Sequence, residues 1–404
     1  MEKQFYSRRL IVIIIPIICL IPFINKAFHI DDTLFLWCAK QIQAHPVDFY
    51  GFTANWYGSK EPMYLINQNP PLVPYYISAV TWLFGWNEII LHIAFLIPSV
   101  GFSIGVYYLA RSFCPRPDIA ALIAVLTPAF LVSSTNIMTD TMMMALYLWA
   151  TFFWIYGMEK NRALYFLYAA ILMSFSALTK YFGMTIIPLM LVYSLVAKRK
   201  FDIRILFLII PVIILIGYQW TALLLYDCNL IFNAASYNIV RFQTDRTELI
   251  TKILTGLSYT GGCLGGIFFY SHLLWNRRML VCGSIFLALL FAVLLCMDSV
   301  GTIPLRNSCG IRWGLIIHLS LFVLAGILIL ILAAADLWEN RNAKSLLLFL
   351  WVFGTFLFAS YVNWTMSARN ILPMTPAVGI LVMRRFKGRM SLRNHLNFCN
   401  MLGL

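Results

Sequence analysis

The sequence predicts an all-α integral membrane protein with about 12 transmembrane helices. Of its 404 residues 61% are hydrophobic and only 11% are charged, and the mean hydropathy is +0.81. Soluble domains are normally about one quarter charged. Apolar runs close to the roughly 20 residues that cross a bilayer recur along the whole chain. No room remains for a sizeable soluble domain, so we expect residues 1–404 to form a single transmembrane domain.

The apolar runs define the predicted spans. They cover residues 10–28, 89–110, 118–137, 140–157, 163–180, 182–197, 204–226, 256–275, 279–297, 313–335, 345–362 and 370–383. Two connections, after residues 137 and 180, are short enough to predict tight helical hairpins. The first run has a basic flank but no small-residue cleavage site, so we interpret it as a retained helix and not as a signal peptide.

The positive charge indicates orientation. With the N-terminus inside, most lysines and arginines, including Lys198-Arg199-Lys200, fall in short inner loops. This predicts cytoplasmic termini. The net charge of +14 is then a topology signal and a contact with anionic membrane lipids, and it does not indicate a nucleic-acid partner. The cysteines form no Cys-x-x-Cys motif, and most lie in apolar runs, as small buried residues do.

Three longer stretches fall on the predicted outer face, at about residues 29–88, 227–255 and 298–312. The first contains Asn69-Pro70-Pro71 and continues as an apolar segment to Trp86. Proline removes a backbone donor and blocks the preceding turn, so this segment does not suit a spanning helix. With its tryptophans it predicts an interfacial helix beside the membrane in the first outer loop.

An acidic pair, Asp31-Asp32, directly follows the first apolar run. Ionisable residues near bilayer depth are costly and usually face a polar cavity where they have a function. The structural alternative is a helix N-cap, since Asp is favoured at that position and at the positive end of the helix dipole. Position alone does not decide between the two.

Further polar residues gather on the predicted outer face, and each also has a simple structural explanation. Asp140 begins the fourth span, where it could be an N-cap, and Lys180 lies at the outer hairpin, where helix C-terminal ends attract a cation. The other candidates for an outer site are Asn69, Pro70, Tyr181, Arg241, Asp245, Arg246, Glu248 and Arg369.

In order and spacing, these residues resemble the GT-C membrane glycosyltransferases, specifically the branch of aminoarabinose transferases and protein O-mannosyltransferases. The resemblance rests on the acidic pair after the first span, Pro70-Pro71-Leu72, Asp140, Thr179-Lys180, and Arg369 before a span that contains Pro373. The sequence departs from the family in having Asp-Asp for Asp-Glu, Asn69 for Lys or His, and Asn370 for Tyr. The sequence ends soon after the last predicted span, so we expect no soluble C-terminal domain like that of larger members.

The resemblance implies a function. Such an enzyme moves a sugar from an undecaprenyl- or dolichyl-type polyprenyl-phosphate donor to a lipid, glycan or protein acceptor on the outer face, here of a bacterial inner membrane. Asp31 and Asp32 are the candidate catalytic residues, and Asp31 aligns with the first acid of the family's pair. Lys180 and Arg369 would stabilise the phosphate leaving group. Asn69, Pro70, Asp140 and Tyr181 are expected to bind substrate.

A metal cofactor is not favoured. One histidine, His29, beside two adjacent carboxylates is not a recognisable ligand spacing. Two other classes remain as alternatives: a multispanning transporter, and an O-antigen polymerase or ligase of cell-envelope glycans. Transporters place ionisable residues near mid-membrane and usually show repeats, and the polymerases rely on arginines in a late loop. The polar candidates here lie at outer helix ends, which favours the glycosyltransferase over both, and over a purely structural subunit.

Overall fold

The computed structural model describes residues 2–67, 69–199, 202–236, 249–300, 303–308, 310–363 and 365–386. Helices dominate, which confirms the all-α membrane class. The chain divides into two compact units, residues 1–109 with 130–240 and residues 110–129 with 241–404. The prediction that residues 1–404 form a single transmembrane domain stays a prediction.

The helices follow one another in this order: α1 (Glu2–Leu20), α2 (Asp32–Ala44), α3 (Met63–Ile66), α4 (Leu72–Phe84), α5 (Glu88–Ala110), α6 (Pro117–Val125), α7 (Pro128–Ser134), α8 (Thr139–Lys160), α9 (Ala163–Thr179), α10 (Ile186–Lys198), α11 (Ile209–Tyr226), α12 (Leu249–Cys263), α13 (Ile267–Leu274), α14 (Arg277–Cys296), α15 (Trp313–Asn340), α16 (Ala343–Leu357), α17 (Ala368–Ile371) and α18 (375–386). Residues 230–236 are also helical. Tight 3₁₀ turns occupy Ile21–Phe23, Tyr181–Thr185, Ile203–Leu208 and Leu372–Met374, and a π-helical turn occupies Phe358–Val362.

The described helices account for a multi-pass membrane protein. Seven are long and apolar enough to span: Glu88–Ala110, Thr139–Lys160, Tyr181–Lys198, Ile203–Tyr226, Arg277–Cys296, Trp313–Asn340 and Ala343–Val362. Two bent helix pairs raise the number to nine if each is one span. Three apolar helices are shorter, Arg9–Phe23, Leu72–Phe84 and Ala163–Thr179. Multi-pass character is therefore confirmed, while the number of about 12 spans stays a prediction.

Two predicted spans are wrong as single helices. The run 118–137 is divided into α6 and α7 at the residues just before Pro128, because proline lacks an N–H and disfavours the helical conformation in the residue it follows. The run 256–275 is divided into α12 and α13, which are bent by 90° with Gly265 and Gly266 in the break. Glycine lowers the cost of leaving helical geometry there.

In the first unit, α2 and α4 pack together with the start of α5. Their shared core contains Phe35, Val73, Ile77, Leu91 and Ile137. Val73 and Ile77 are one helical turn apart and both are fully buried, while Trp82, Leu83 and Phe84 at the end of α4 are exposed. Helix α4 has 13 residues and rises about 20 Å, too short for the roughly 30 Å hydrocarbon core. Its position in the membrane interface, predicted from the sequence, stays a prediction.

Three small hairpins lie among the described residues, and the sequence did not predict them. They are β1 (Thr53–Asn55) with β2 (Lys60–Pro62), β3 (Ser299–Val300) with β4 (Ile303–Pro304), and β5 (Arg306–Asn307) with β6 (Gly310–Ile311), all antiparallel. The first two strands are joined by a turn in which Gly58 has φ +94°, a left-handed conformation that suits glycine. This hairpin lies in the predicted first outer loop.

Candidate active site

The acidic pair lies at the beginning of α2, and its two members differ. Asp31 occupies the N-cap position, but its side chain makes no capping hydrogen bond, so the N-cap alternative does not describe it. Asp31 is partly exposed, whereas Asp32 has no exposed surface. The Asp32 Oδ2 atom accepts the backbone N–H of His29 at 2.8 Å, and the Asp32 N–H donates to the His29 carbonyl at 2.9 Å. These two bonds fold the preceding loop onto the helix.

Burial raises the pKa of the Asp32 carboxyl above its ordinary value. The backbone N–H groups of His29 and Ile137, and the charges of the His29 and His92 imidazoles, oppose this rise without cancelling it. Within the described part of the chain, no Lys or Arg forms an ion pair with Asp32, and its Oδ1 atom makes no hydrogen bond of normal geometry. Asp32 is thus a buried acid whose negative charge is poorly compensated.

Asp140 is a buried acid with the opposite environment. It lies in the first turn of α8, is 2% exposed, and accepts a hydrogen bond from Lys180 Nζ at 2.6 Å. Helices α8 and α9 are joined by two residues, with Asn161 in the left-handed conformation at φ 57°. This hairpin is not one of the two that the sequence predicted. It explains how two residues 40 positions apart meet, because the start of α8 lies beside the end of α9.

The backbone after α9 holds Lys180 in position. Lys180 is extended, with φ −156° and ψ 138°, and is followed at once by the 3₁₀ turn Tyr181–Thr185. Gly183 in this turn donates its N–H to the Lys180 carbonyl at 2.8 Å. A Cβ atom at Gly183 would lie 2.5 Å from the backbone of Ser176, so only glycine permits this close approach to α9. The ammonium group is therefore anchored between two helical segments.

The Pro-Pro segment is fixed through its backbone. The Asn69 carbonyl accepts a hydrogen bond from the Tyr50 hydroxyl, and the Asn69 N–H donates to Asn67 Oδ1 at 3.1 Å. Asn69 is partly buried and Pro70 is buried. Complete burial raises the pKa of the Tyr50 phenol well above its ordinary value, so it stays a neutral donor. The contacts at Asn69 thus do not depend on its side chain.

Tyr181 links the hairpin to α11. Its hydroxyl accepts a hydrogen bond from Gln219 Nε2 at 3.4 Å, and Gln219 Oε1 in turn accepts the backbone N–H of Ile231 at 3.1 Å. Tyr181 is therefore connected to residues in the second predicted outer stretch. Of that stretch, Arg241, Asp245, Arg246 and Glu248 lie outside the described residues.

Sequence reasoning missed several residues around the acidic pair. The His92 ring stacks on Phe28 with centroids 6.0 Å apart, and its Nδ1–H donates to the Glu88 carbonyl at 2.8 Å, which leaves Nε2 buried. Lys26 Nζ donates to Asn136 Oδ1, just before the segment that borders Asp32. No local motif identifies these residues, because their place near Asp32 results from contacts with residues that are distant in sequence.

Arg369 belongs to the other compact unit, where it lies in the short helix α17. Its neighbour Asn370 donates through Nδ2 to the Thr365 carbonyl at 2.8 Å, which secures the turn into α18. The predicted role of Arg369 at the phosphate stays a prediction. Among the residues described, no group of three or more His, Cys, Asp or Glu side chains is placed to hold a metal ion.

The fold and these residues define a class. The chain is a multi-pass membrane protein with the fold of the GT-C glycosyltransferases, as the sequence predicted. More particularly, residues 68–223 match the family model of dolichyl-phosphate-mannose-protein mannosyltransferase. The matched segment includes Asn69, Pro70, Asp140, Lys180 and Tyr181, and it supports a glycosyltransferase.

Solved structures with a similar fold include proteins of two kinds. ArnT from Cupriavidus metallidurans, bound to undecaprenyl phosphate, is 14% identical with a TM-score of 0.50, and the match covers 97% of this chain and 79% of that one. The oligosaccharyltransferase of Archaeoglobus fulgidus is 14% identical with a TM-score of 0.55, over 97% of this chain.

The archaeal oligosaccharyltransferase AglB from Archaeoglobus fulgidus was solved with an inhibitory peptide and a dolichol-phosphate. It is 14% identical, with a TM-score of 0.51, over all of this chain. The present chain spans only 51% and 52% of the two oligosaccharyltransferase chains. At this identity the likeness concerns the fold alone. No curated protein matches the sequence significantly.

Proposed function

We propose that the protein transfers a sugar from a polyprenyl-phosphate donor to an acceptor on the outer face of the membrane. One arrangement carries the proposal: buried Asp32 borders Ile137, three residues before Asp140, which is paired with Lys180. The acidic pair at the start of α2 and the Lys180 cation after α9 thus lie on neighbouring segments of the first compact unit. ArnT and AglB were solved with undecaprenyl phosphate and dolichol-phosphate, which supports a lipid-linked donor.

Asp31 is the proposed general base. A base must reach the hydroxyl whose proton it takes, and Asp31 is partly exposed while Asp32 is enclosed. Two like charges this close would not both be optimal bases, so one member of the pair is proposed as the base and the other as a positioning group. In this arrangement Asp32 is a positioning residue that fixes the loop from His29 and thereby the place of Asp31.

Lys180 is proposed to bind the phosphate group of the sugar donor. An ammonium group has three N–H donors, and Asp140 uses one of them. The other two can donate to phosphate oxygens, while Asp140 holds the group in place. Arg369 is the expected second cation, since a guanidinium binds phosphate through two parallel hydrogen bonds. Both charges would stabilise the negative charge that grows on the leaving phosphate.

The proposed reaction is one substitution at the anomeric carbon of the donor sugar. The acceptor oxygen forms a bond to this carbon, and the bond from the carbon to the phosphate oxygen breaks. The polyprenyl phosphate leaves with the electron pair, and Asp31 takes the hydroxyl proton. No resident cofactor is needed in this scheme, which agrees with the absence of a recognisable ligand spacing around His29 in the sequence.

The proposed location is a bacterial inner membrane, with cytoplasmic termini and the site on the outer face. Cysteine-accessibility labelling tests it. Single cysteines in residues 29–88 and 298–312 should be labelled from outside, and cysteines at Lys198 or Arg199 from inside only. Outside labelling at Arg199 would place the proposed site and the basic loop on the same face, which the proposal does not allow.

The function itself is tested by finding the donor. A strain that lacks the protein should accumulate one polyprenyl-phosphate sugar, because its consumption is blocked. The purified protein, in lipid nanodiscs with that donor labelled in the sugar, should then move the label to an acceptor fraction. The control is the same preparation heated beyond its unfolding temperature. An unchanged pool of lipid-linked sugars together with no label transfer would refute the proposal.

A further inference from the structure

Two buried polar atoms near the acidic pair have no hydrogen-bond partner among the described residues. They are Oδ1 of Asp32 and Nε2 of His92. Asp32 has no exposed surface, and His92 is 6% exposed. A buried polar atom without a partner costs free energy that folded proteins normally avoid. The sugar transfer proposed above gives neither atom a role.

One short segment of chain contacts both side chains. The Phe28 ring stacks on the His92 ring, with centroids 6.0 Å apart and an angle of 13° between the planes. The next residue, His29, donates its backbone N–H to Asp32 Oδ2 at 2.8 Å. Burial raises the pKa of the Asp32 carboxyl, and the His92 imidazole is among the groups that oppose this rise. The imidazole and the carboxyl therefore belong to one cluster.

The hydrogen bond at the other ring nitrogen determines what Nε2 of His92 can do. His92 Nδ1 lies 2.8 Å from the Glu88 carbonyl oxygen. A carbonyl oxygen only accepts, so Nδ1 carries a hydrogen, and in a neutral imidazole Nε2 is then an acceptor. An ionised carboxylate also only accepts. Neither Nε2 nor Asp32 Oδ1 can therefore satisfy the other until one of them carries a proton.

No lysine or arginine in the described part of the chain compensates the charge of Asp32. The ion pairs formed there do not include it. Lys26, in the loop before His29, donates to Asn136 Oδ1. A buried charge without a partner is so costly that the group is normally neutralised. Histidine is the side chain best suited to share a proton near neutral pH.

We infer that Asp32 and His92 together hold one proton, in a hydrogen bond between Oδ1 and Nε2 that is direct or bridged by one water. His92 is then a further positioning residue for the proposed base, Asp31, and this role rests on the proposed sugar transfer. The Asp32 carboxyl is held at both of its oxygens, which fixes the beginning of α2 and the place of Asp31.

The shared proton also sets the charge of the acidic pair. With one proton, Asp32 and His92 have no net charge between them, whichever of the two carries it. Asp31 is then the charged member of the acidic pair. The two adjacent carboxyls do not both carry a negative charge, an arrangement that like charges this close disfavour.

Nitrogen NMR tests the shared proton without turnover. The full-length protein in nanodiscs, with isotope-labelled histidine rings, would be measured near neutral pH. The His92 signals are identified by their loss in His92→Gln. We expect the Nε2 signal of a hydrogen-bonded nitrogen, and we expect it to shift further in Asp32→Asn than in Asp31→Asn. An Nε2 signal that is the same in the wild type and in Asp32→Asn would overturn the inference.

Activity separates positioning from packing. His92→Leu removes the hydrogen bond, so single-turnover sugar transfer should fall about tenfold, while donor affinity should not change. His92→Gln can still bond to Asp32 and should recover most of the lost rate. His318→Leu is the matched control, since His318 also stacks on a phenylalanine, Phe322, with centroids 5.8 Å apart, and it should leave transfer unchanged. Equal rates in His92→Leu and His92→Gln would show that the imidazole only packs.

Thermal melts separate this inference from the proposed function. His92→Leu should lower the melting temperature less in an Asp32→Asn background than in the wild type, because the partner is already lost. If this coupling and the NMR shift are found but no sugar is transferred, the proposed reaction fails, and the positioning role fails with it. If sugar is transferred while the melts and the Nε2 signal show no coupling, the inference fails and the transfer reaction stands.

Discussion

The start of α2 and the α8–α9 hairpin each bury one carboxylate, and they compensate its charge differently. Asp140 is paired with Lys180 at 2.6 Å. Asp32 is at least as deeply buried, yet in the described residues its hydrogen bond comes from a backbone N–H and no Lys or Arg pairs with it. The pKa of Asp32 is raised by burial accordingly.

This difference separates two uses of a buried acid. A paired carboxylate keeps a cation at a fixed place. Removing either partner destabilises the folded protein, because the other charge stays buried without compensation. A poorly compensated carboxylate costs stability for as long as it is charged, and such residues are common at functional sites. We therefore expect the hairpin to contribute to stability and donor binding, and the start of α2 to contribute to chemistry.

The largest effect should come from Asp31. Replacing Asp31 by Asn keeps its size but removes the proposed base, so sugar transfer should fall by about 10²- to 10⁴-fold. Donor binding should survive, because Lys180 and Asp140 are untouched. Single-turnover transfer and donor affinity would be measured on the same preparation. If Asp31→Asn and Asp32→Asn both retain near-normal turnover, the acidic pair is structural, and the start of α2 has no role in the chemical step.

Removing Lys180 should cost stability as well as binding. Lys180→Met leaves Asp140 charged and buried, and breaking such a pair costs about 3 kcal/mol, at the lower end for buried pairs because the lysine side chain is 22% exposed. Donor affinity should fall about tenfold to hundredfold. The double variant Asp140→Asn/Lys180→Met should recover the melting temperature without recovering donor affinity. Recovery of both would leave Lys180 no role at the phosphate.

Asp32 should make stability depend on pH in the opposite sense from a salt-bridged acid. Its pKa is raised in the folded protein, so the unfolded chain loses this proton first as pH rises. The contribution of Asp32 to the free energy of unfolding therefore falls from about pH 4, the unfolded pKa, up to the folded pKa, by about 1.4 kcal/mol for each pH unit between them.

The measurement is a series of thermal melts in detergent across this pH range. Compared with Asp32→Asn, the wild type should lose melting temperature as pH rises from about 4. Asp31→Asn serves as the matched control, because it alters the neighbouring carboxyl at the exposed position. Parallel melting curves for wild type and Asp32→Asn would mean that the carboxyl is not strained by burial.

The smallest expected effect on the free energy of unfolding comes from an uncharged hydrogen bond, the one between the Tyr50 hydroxyl and the Asn69 carbonyl. Tyr50→Phe removes the hydrogen bond to the Asn69 carbonyl and should destabilise the protein by about 1 kcal/mol. Asn69→Ala should change stability by less than about 0.5 kcal/mol, because the bonds at this position use backbone atoms. Chemical denaturation of the two variants in one detergent would check this order. A larger cost at Asn69→Ala than at Tyr50→Phe would show that the Asn69 side chain has a contact of its own.

The sequence predicted the membrane class and the resemblance to the GT-C glycosyltransferases, because apolar runs and short motifs are local signals. It predicted hairpins after residues 137 and 180, and not the one between α8 and α9. The resemblance favoured Asp31 over Asp32 as the base, but nothing in the sequence indicated that Asp32 is buried and Asp31 partly exposed. Their burial depends on the segment at Ile137, more than 100 positions away. Pro128 and the Gly265-Gly266 pair are signals of a helix break in the sequence. The runs 118–137 and 256–275 were nevertheless predicted as single helices, because each is long and apolar enough to span the membrane. The β1–β2 hairpin, built of mostly polar residues, gave no alternating pattern that could reveal it.

The backbone turn after α9 has a consequence for the depth of the reaction. Helix α9 has 17 residues and so rises about 25 Å from its start at Ala163 to Lys180. The length of α9 therefore sets the distance between the Lys180 ammonium and the α8–α9 connection at the other end of the hairpin. Inserting one alanine in its middle would turn Lys180 by about 100° and break the pair with Asp140, whereas inserting four would lift it by about 6 Å and turn it only about 40° from its original direction. If Lys180 binds the donor phosphate as proposed, the register of this one helix decides at which depth in the membrane that phosphate is bound.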